Sequence, residues 1–204
     1  KAYVVAPAIH AALCQHPQLP LLEYHAKNVG LRRATSDWIL ATNADVALAP
    51  DAVRTLRHSL QRSDQAWTAQ RVDIPWPEGR RQPLQLHDCT RFRRIIPYVE
   101  LGTGDFLLAS GALWQRARGY DESLVRHRIG CDARGAGQLV AHGAKIRRVG
   151  RVLHLAHPTS CTESIQPHHG ELAPLDGLPY VNPEHWGLTH YRETEIAERI
   201  WRIE

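Results

Sequence analysis

Residues 38 to 48 read Trp38-Ile39-Leu40-Ala41-Thr42-Asn43-Ala44-Asp45-Val46-Ala47-Leu48. A short apolar strand breaks abruptly into Asn43-Ala44-Asp45 and then returns to apolar residues. A buried strand that ends this way sets a carboxylate at its C-terminal edge, and in open α/β sheets that edge is where ligands bind. Carboxylate oxygens suit a hard divalent cation such as Mg2+ or Mn2+, which commonly bridges protein to a diphosphate. The competing reading of the same spacing is that Asn43 and Asp45 end a strand and cap a helix starting near Pro50.

Outward from this stretch, strands and helices alternate. Asn28 to Thr35 reads as a short helix feeding the strand Trp38 to Thr42. Pro50-Asp51 opens a second helix, with Val53, Leu56 and Leu60 at helical spacing. Ala66 to Ile74 and Gly104 to Ser110 read as strands, Ala112 to Arg118 and Asp132 to His142 as helices, and Lys145 to His157 as a strand. Ala2 to Ala6 and Leu19 to Tyr24 are expected to be short strands. Pro75 to Pro97 reads as a long surface loop, a length that suggests a lid or binding element. Residues 158 to 190 read as a loop-rich tail. Glu193 to Ile203, with Ile196, Ile200 and Ile203 on one face, predicts a terminal amphipathic helix. The expectation is one α/β domain over residues 1–190, followed by a helix over 191–204.

Composition narrows the function classes. The 204 residues carry 25 Lys and Arg against 21 Asp and Glu, a formal charge of +4 without a basic tail. Such a balance predicts mild attraction to anionic partners, including sugar nucleotides and lipid phosphates, and does not indicate nucleic acid. Cys14, Cys89, Cys131 and Cys161 form no C-x-x-C pair, which argues against a zinc ribbon or a thioredoxin-like site and for a reducing, cytoplasmic compartment. No apolar run reaches the length of a membrane span and no secretory signal opens the chain, so membrane contact is expected to be peripheral at most. The chain has no methionine, even at position 1. That reads as a piece of a longer protein or a processed product, with room for further domains.

Four constellations follow in order. The first is Lys27-Asn28-Val29-Gly30-Leu31-Arg32-Arg33-Ala34, leading into Asn43-Ala44-Asp45. The second is Gly104-Asp105-Phe106, followed after a helix by Gly119-Tyr120-Asp121-Glu122. The third is Gly130-Cys131-Asp132 at a helix start, and the fourth is His154 with His157. Together they resemble the A-type fold of nucleotide-sugar glycosyltransferases, family-two-like enzymes with a galactosyltransferase-type C-terminal motif. In that family an N-x-G-x-x-x-A helix precedes a strand ending in D-x-D, then come G-D-F, G-G-x-D-E, G-E-D and a metal-binding His. The resemblance covers residues 20 to 157 and implies a single Rossmann-like sheet with helices on both faces. The family's first strand and base-gripping loop need more chain than the 44 residues before Asp45, so the domain is read as abbreviated or missing its N-terminal portion. Asn43 stands where the first D-x-D acid would be, and Cys131 stands where G-E-D has its acid.

The resemblance implies transfer of a sugar from a nucleotide-diphosphate donor to a glycan or lipid-linked acceptor in polysaccharide biosynthesis, by inversion and with a divalent cation, Mn2+ or Mg2+. It assigns donor binding to Asn28, Arg32, Asn43 and Asp45, the metal to Asp45 with His154 or His157, and acceptor binding to Asp105, Asp121 and Glu122. Residues three apart on a strand point to opposite faces, so one histidine binds and the other packs, with His154 favoured. A pair of packed histidines is the competing reading. Arg32 and Arg33 can equally form a solvated helix face, and Asp121 and Glu122 a turn and helix start. Asp132 is the expected general base for the acceptor hydroxyl. Its competing role is a helix cap, and a helix N-terminus would lower its pKa. Trp76, Trp114 and Trp186 are candidate sugar-stacking surfaces, with core packing the better reading of Trp114. The alternative function is a non-catalytic sugar-nucleotide or glycan-binding module. A nucleotidyltransferase would need a glycine-rich phosphate loop near the start, and Ala2 to Pro20 contains no glycine.

Overall fold

The computed structural model describes residues 1–17, 19–60, 64–75, 91–92, 104–156 and 173–204. The elements are β1 (Ala2–Val5), α1 (Pro7–Leu13), α2 (Glu23–Arg33), β2 (Trp38–Thr42), β3 (Val46–Leu48), α3 (Pro50–Ser59), β4 (Gln65–Pro75), β5 (Arg91–Phe92), β6 (Phe106–Ser110), α4 (Gly111–Ala117), α5 (Cys131–Ala141), β7 (Lys145–Ala156), β8 (Glu193–Ala197) and β9 (Ile200–Ile203). The fold is α/β, as the alternation of patterns predicts.

The central sheet has the order β2-β6-β4-β7-β3, with β5 paired to β4. Only β4 and β7 run parallel; the other pairs are antiparallel. Period-two alternation in β2 divides its side chains between two layers. Ile39 and Ala41 enter a core with Leu31 of α2, Leu113 and Trp114 of α4, and Leu139 of α5. Trp38 and Leu40 face the other way, toward Trp67, Phe106, Leu108 and the α3 residues Ala52 and Leu56. Helices therefore cover both faces. β6 lies between and is buried at all five positions, which is why its sequence is apolar without alternation.

Local chemistry sets the order of elements around β6. The Ser110 hydroxyl accepts from the Leu113 N–H at 3.2 Å and caps α4. One turn on, the Trp114 indole N–H donates to the Ile39 carbonyl at 3.1 Å, locking α4 onto β2. α5 then packs where the Tyr120 ring lies against Gly135; a Cβ there would meet the ring at 2.2 Å. Among the described residues no helix is long and apolar enough to cross a membrane.

Three expectations are corrected. Residues 193–203 are a β-hairpin, β8 antiparallel to β9, and β9 pairs in parallel with β1 from Ala2 opposite Ile200 to Val5 opposite Ile203. Residues 191–204 thus complete a three-stranded sheet with the N-terminus and are not a separate helix. The isoleucine spacing misled because only Ile203 is fully buried, packed with Ile9, Val29 and Leu188, while Ile196 and Ile200 stay exposed. β-branched Thr194, Ile196, Ile200 and Ile203 favour strand once an edge is available. The second correction is that the fold holds two sheets among the described residues where one was expected. The third concerns Leu19 to Tyr24: α2 begins at Glu23, since its buried residues His25, Asn28 and Val29 recur at helical spacing. Of the expected 75–97 loop, Arg91–Phe92 returns to pair with Val72 and Asp73 of β4. Residues 76–90 and 93–103, with Trp76, and residues 157–172, with His157, lie outside the described residues.

The Tyr120–Gly135 contact yields a direct test. Gly135→Ala should destabilise the protein by about 1–3 kcal/mol, the usual cost of overpacking, read as a lower urea midpoint with an unchanged m-value.

Candidate functional site

Sheet register gathers the polar residues at one edge. Thr42 ends β2 opposite Phe106, so Asn43 and Asp105 emerge side by side. The parallel β4–β7 pair carries on past them, placing Asp73 opposite His154, and antiparallel β3 places Val46 opposite His154 from the other side. Along β4, Val72 and Ile74 point into the core while Arg71 and Asp73 share the opposite face.

These side chains form one network. The Asn43 amide donates to Asp105 Oδ1 at 3.1 Å, and its carbonyl accepts from Lys27 Nζ at 2.7 Å. Lys27 also donates to the Gly104 carbonyl at 2.9 Å and pairs with Glu23 at 2.6 Å. Asp105, only 3% exposed, accepts from Arg71 Nη1 at 3.1 Å. Arg71 Nε donates to Asp73 Oδ1 at 2.7 Å, and its Nη2 lies 2.7 Å from His154 Nδ1. His154 is bracketed by carboxylates, with Nε2 3.2 Å from Asp45 Oδ2 and Nδ1 3.0 Å from Asp73 Oδ1.

Among the described residues no group of three or more His, Cys, Asp and Glu side chains is placed to hold a metal ion; the pair that could contribute to one is Asp45 with His154. Two ligands at right angles on an ion with bonds of about 2.1 Å have donor atoms about 3 Å apart, close to the Asp45–His154 separation. Asp73 stands where a ligating histidine finds its usual carboxylate partner for the other ring nitrogen. Such ions are commonly held by one or two protein groups with the remaining positions left to substrate phosphates and water. Asp45 and His154 would hold the ion, and Asp73 would orient the ring.

Asp132 stands at the other side of Lys27, in the first turn of α5. A Cβ on Gly104 would lie 3.7 Å from the Asp132 Cβ and 2.9 Å from the Tyr24 hydroxyl, so a glycine is what lets the loop pass between them. Burial raises the Asp132 pKa above the ordinary carboxylate range, against the backbone N–H groups of Ala133, Asp132 and Gly104 and the charge of Lys27. This reverses the expectation of a lowered value: desolvation outweighs the helix end. Next to it, burial and the Asp132 charge push the Cys131 thiol up to about 12. Cys131 is therefore a neutral thiol, donating to the His127 carbonyl at 3.6 Å, and no nucleophile.

Four expected site residues serve a different purpose. Asn28 is fully buried; its amide donates to the Tyr120 carbonyl at 2.8 Å and Glu122 Oε1 at 2.9 Å, and its carbonyl accepts from the Tyr120 N–H at 2.8 Å. Glu122 Oε1 also accepts from the Gly187 N–H at 2.8 Å. Asp121 is buried against Arg134 and accepts from the Ser123 N–H and hydroxyl. Asn28, Asp121 and Glu122 thus form a clasp holding the 119–123 turn to α2, α5 and the tail. These internal hydrogen bonds support a structural reading of Asn28, Asp121 and Glu122 over the donor and acceptor roles expected of them. Arg32 bonds Gln115 at 3.3 Å and stacks on Trp186 at 5.2 Å, on the α4 side of α2 and away from the network. Trp114 and Trp186 are both fully buried in the core and offer no sugar-stacking face.

The structure therefore brings together Asn43, Asp45, Asp105, Asp132 and His154 of the expected set. Arg71, Asp73 and Tyr24 were missed. The signal for the first two was present in Arg71-Val72-Asp73-Ile74, where charged and apolar residues alternate at the C-terminal end of a strand. No protein-family model and no curated protein matches the chain.

The clasp can be tested directly. Asn28→Ala should cost about 1–3 kcal/mol for each buried partner left unpaired, measured by chemical denaturation as a lower urea midpoint.

Proposed function

We propose that the chain is an A-type glycosyltransferase domain that moves a sugar from a nucleoside-diphosphate donor to a hydroxyl of a glycan or lipid-linked acceptor, with inversion. The observation that carries this reading is that the Asp45–His154 pair at the sheet edge and the desolvated Asp132 in the first turn of α5 lie on one network that runs through Lys27, Asn43 and Asp105. The mixed sheet with helices on both faces is compatible with that fold.

In this reaction the acceptor oxygen bonds to the anomeric carbon as the bond from that carbon to the diphosphate oxygen breaks. The leaving group gains negative charge, which fixed cationic groups stabilise without reorganisation. Lys27, bonded to Asn43 and the Gly104 carbonyl, and Arg71, bonded to Asp105, supply such charge. A divalent cation, when bound by Asp45 and His154, would add Lewis-acid stabilisation of the same diphosphate. Asp132 takes the acceptor proton. Its raised pKa makes it a stronger base than an ordinary carboxylate, and Tyr24 and Gly104 limit water around it.

A second reading, a binding module without turnover, is favoured by Asn43, whose amide is engaged by Lys27 and Asp105 where the family has a metal-binding acid. Replacing Asp132 separates the two. Asp132→Asn keeps a hydrogen-bonding group at the helix start and removes the proton acceptor. Transfer should fall about 10²–10⁴-fold, the usual contribution of a general base, with donor affinity unchanged. Wild-type protein that binds a donor but transfers to no acceptor would establish the binding module instead.

The same variant carries a pH signature. The folded Asp132 carboxyl keeps its proton to higher pH than the unfolded one. Its contribution to stability is thus fully present below the unfolded pKa and is lost as pH rises through the folded value. Near neutral pH, Asp132→Asn should therefore raise the melting temperature of the protein. In acid, the wild-type and variant curves should converge.

A further inference from the structure

α3 lies along the outer part of β7, away from the site edge. Its start is fixed at Gly150, where a Cβ would meet the Ala52 nitrogen at 3.0 Å, and by Arg151, whose Nε donates to Asp51 Oδ2 at 2.9 Å. Leu60, just past the helix, lines a surface cleft with Trp38 and Ser110. Ser110 follows Ala109, the partner of Ala66, and Ala66 in turn lies opposite Ile146. The helix therefore descends β7 from the level of Gly150 to that of Ile146.

This course gathers basic side chains on one face. Lys145, Arg147 and Val149 alternate to the same side of β7, and Val149 belongs to the core beneath α3, so Lys145 and Arg147 project on the α3 side. Both are exposed, and β3 pairs with β7 only from Val152 onward. On the helix, Arg54 and Arg57 are exposed one turn apart, a like-charge spacing that lowers helix stability. The negative C-terminal end of α3 offsets Arg57 and accounts for none of the other three. Among the described residues no carboxylate pairs with Arg54, Arg57, Lys145 or Arg147. Asp51 and Asp64 stand at the two ends of the face, with Asp51 taken by Arg151 and the Asp64 carbonyl accepting from the Lys145 N–H at 2.9 Å. The positive charge left over suits an extended anionic surface.

Apolar side chains decide which kind. Val53, one turn before Arg57, is 37% exposed, and Leu48 is 39% exposed. Leu48 is two residues from Val46, which packs under α3, so Leu48 points to the same side of the sheet. Cations beside exposed aliphatic groups on a surface helix match a lipid layer, with phosphates outside and the acyl boundary beneath. A nucleic acid is held by phosphate contacts together with base-edge or stacking groups, and neither Val53 nor Leu48 supplies these.

We propose that α3 and the open edge of β7 form a docking face for an anionic lipid membrane, with Arg54, Arg57, Lys145 and Arg147 at the headgroup phosphates and Val53 and Leu48 at the acyl boundary. His154 lies toward the other end of β7, so docking leaves the site edge clear. The inference stands apart from the glycosyltransferase reading.

The test is flotation of the protein with vesicles of phosphatidylcholine alone and of phosphatidylcholine mixed with phosphatidylglycerol. Wild-type protein should bind the mixed vesicles only, and added salt should release it. Each basic residue near an anionic surface contributes about fivefold in affinity, so Arg57→Gln with Arg147→Gln should weaken binding about thirtyfold. Arg54→Gln with Lys145→Gln should act alike and serves as the arm if the first pair does not fold. Arg202→Gln, exposed on β9 of the other sheet, should leave binding unchanged. Failure of the wild type to bind the mixed vesicles, binding indifferent to salt, or an equal loss in Arg202→Gln would overturn the proposal. So would tight binding of a duplex oligonucleotide in place of the mixed vesicles.

Discussion

The parallel pairing of β4 with β7 is the constraint on which the rest of the molecule depends. It runs from Gln65 opposite Lys145 to Pro75 opposite Ala156, with a shift between Thr68 and Gln70. Parallel neighbours need a crossover, and here the crossover holds β6, α4 and α5, the elements that build the larger core and present Asp105 and Asp132. Both strands run on past the end of β2, and that overhang carries Arg71, Asp73 and His154. A register slip of one residue would turn Arg71 and Asp73 into the core and bring Val72 to the site. The core and the charged cluster therefore enforce the same pairing.

Two electrostatic environments a short way apart are kept distinct by solvent. Around His154, carboxylates and a guanidinium pair with one another at partial exposure. Around Asp132, Tyr24, Cys131 and the Gly104 backbone exclude water, and the same kind of side chain is pushed toward its neutral form. Lys27 lies between the two, bonded to Asn43 and the Gly104 carbonyl. A reaction that separates a leaving anion from a proton acceptor needs this contrast: charge stabilisation at one end, a basic carboxylate at the other.

Much of the architecture was legible because burial leaves a periodic trace. Trp38–Thr42, Pro50–Ser59 and Lys145–Ala156 were readable from alternation or helical spacing together with their Pro and Gly boundaries. The terminal hairpin was not, because its stability comes from pairing with β1, about two hundred residues away in sequence. The site divides in the same manner. Asp45 and Asp105 sit at strand ends and were visible as breaks in apolar runs. Arg71 and Asp73 lie inside a strand and become site residues only through the overhang of β4. Asn28, Asp121 and Glu122 had the residue types of a binding site, and only their hydrogen-bond partners assign them to a clasp. The Asp132 pKa was misjudged because helix position is written in the sequence and desolvation is not.

The central claim is that one sheet edge holds a nucleoside-diphosphate sugar with its diphosphate at Asp45, Arg71 and His154 and its anomeric carbon toward Asp132. The most direct measurement is a crystal structure of the protein with Mn2+ and a non-transferable donor analogue, the sugar nucleotide being chosen by a binding screen. The account predicts density for the diphosphate beside Asp45, Arg71 and His154, and the sugar ring beside Asp132. A donor bound elsewhere, or a screen in which no sugar nucleotide binds with or without Mn2+, would contradict it.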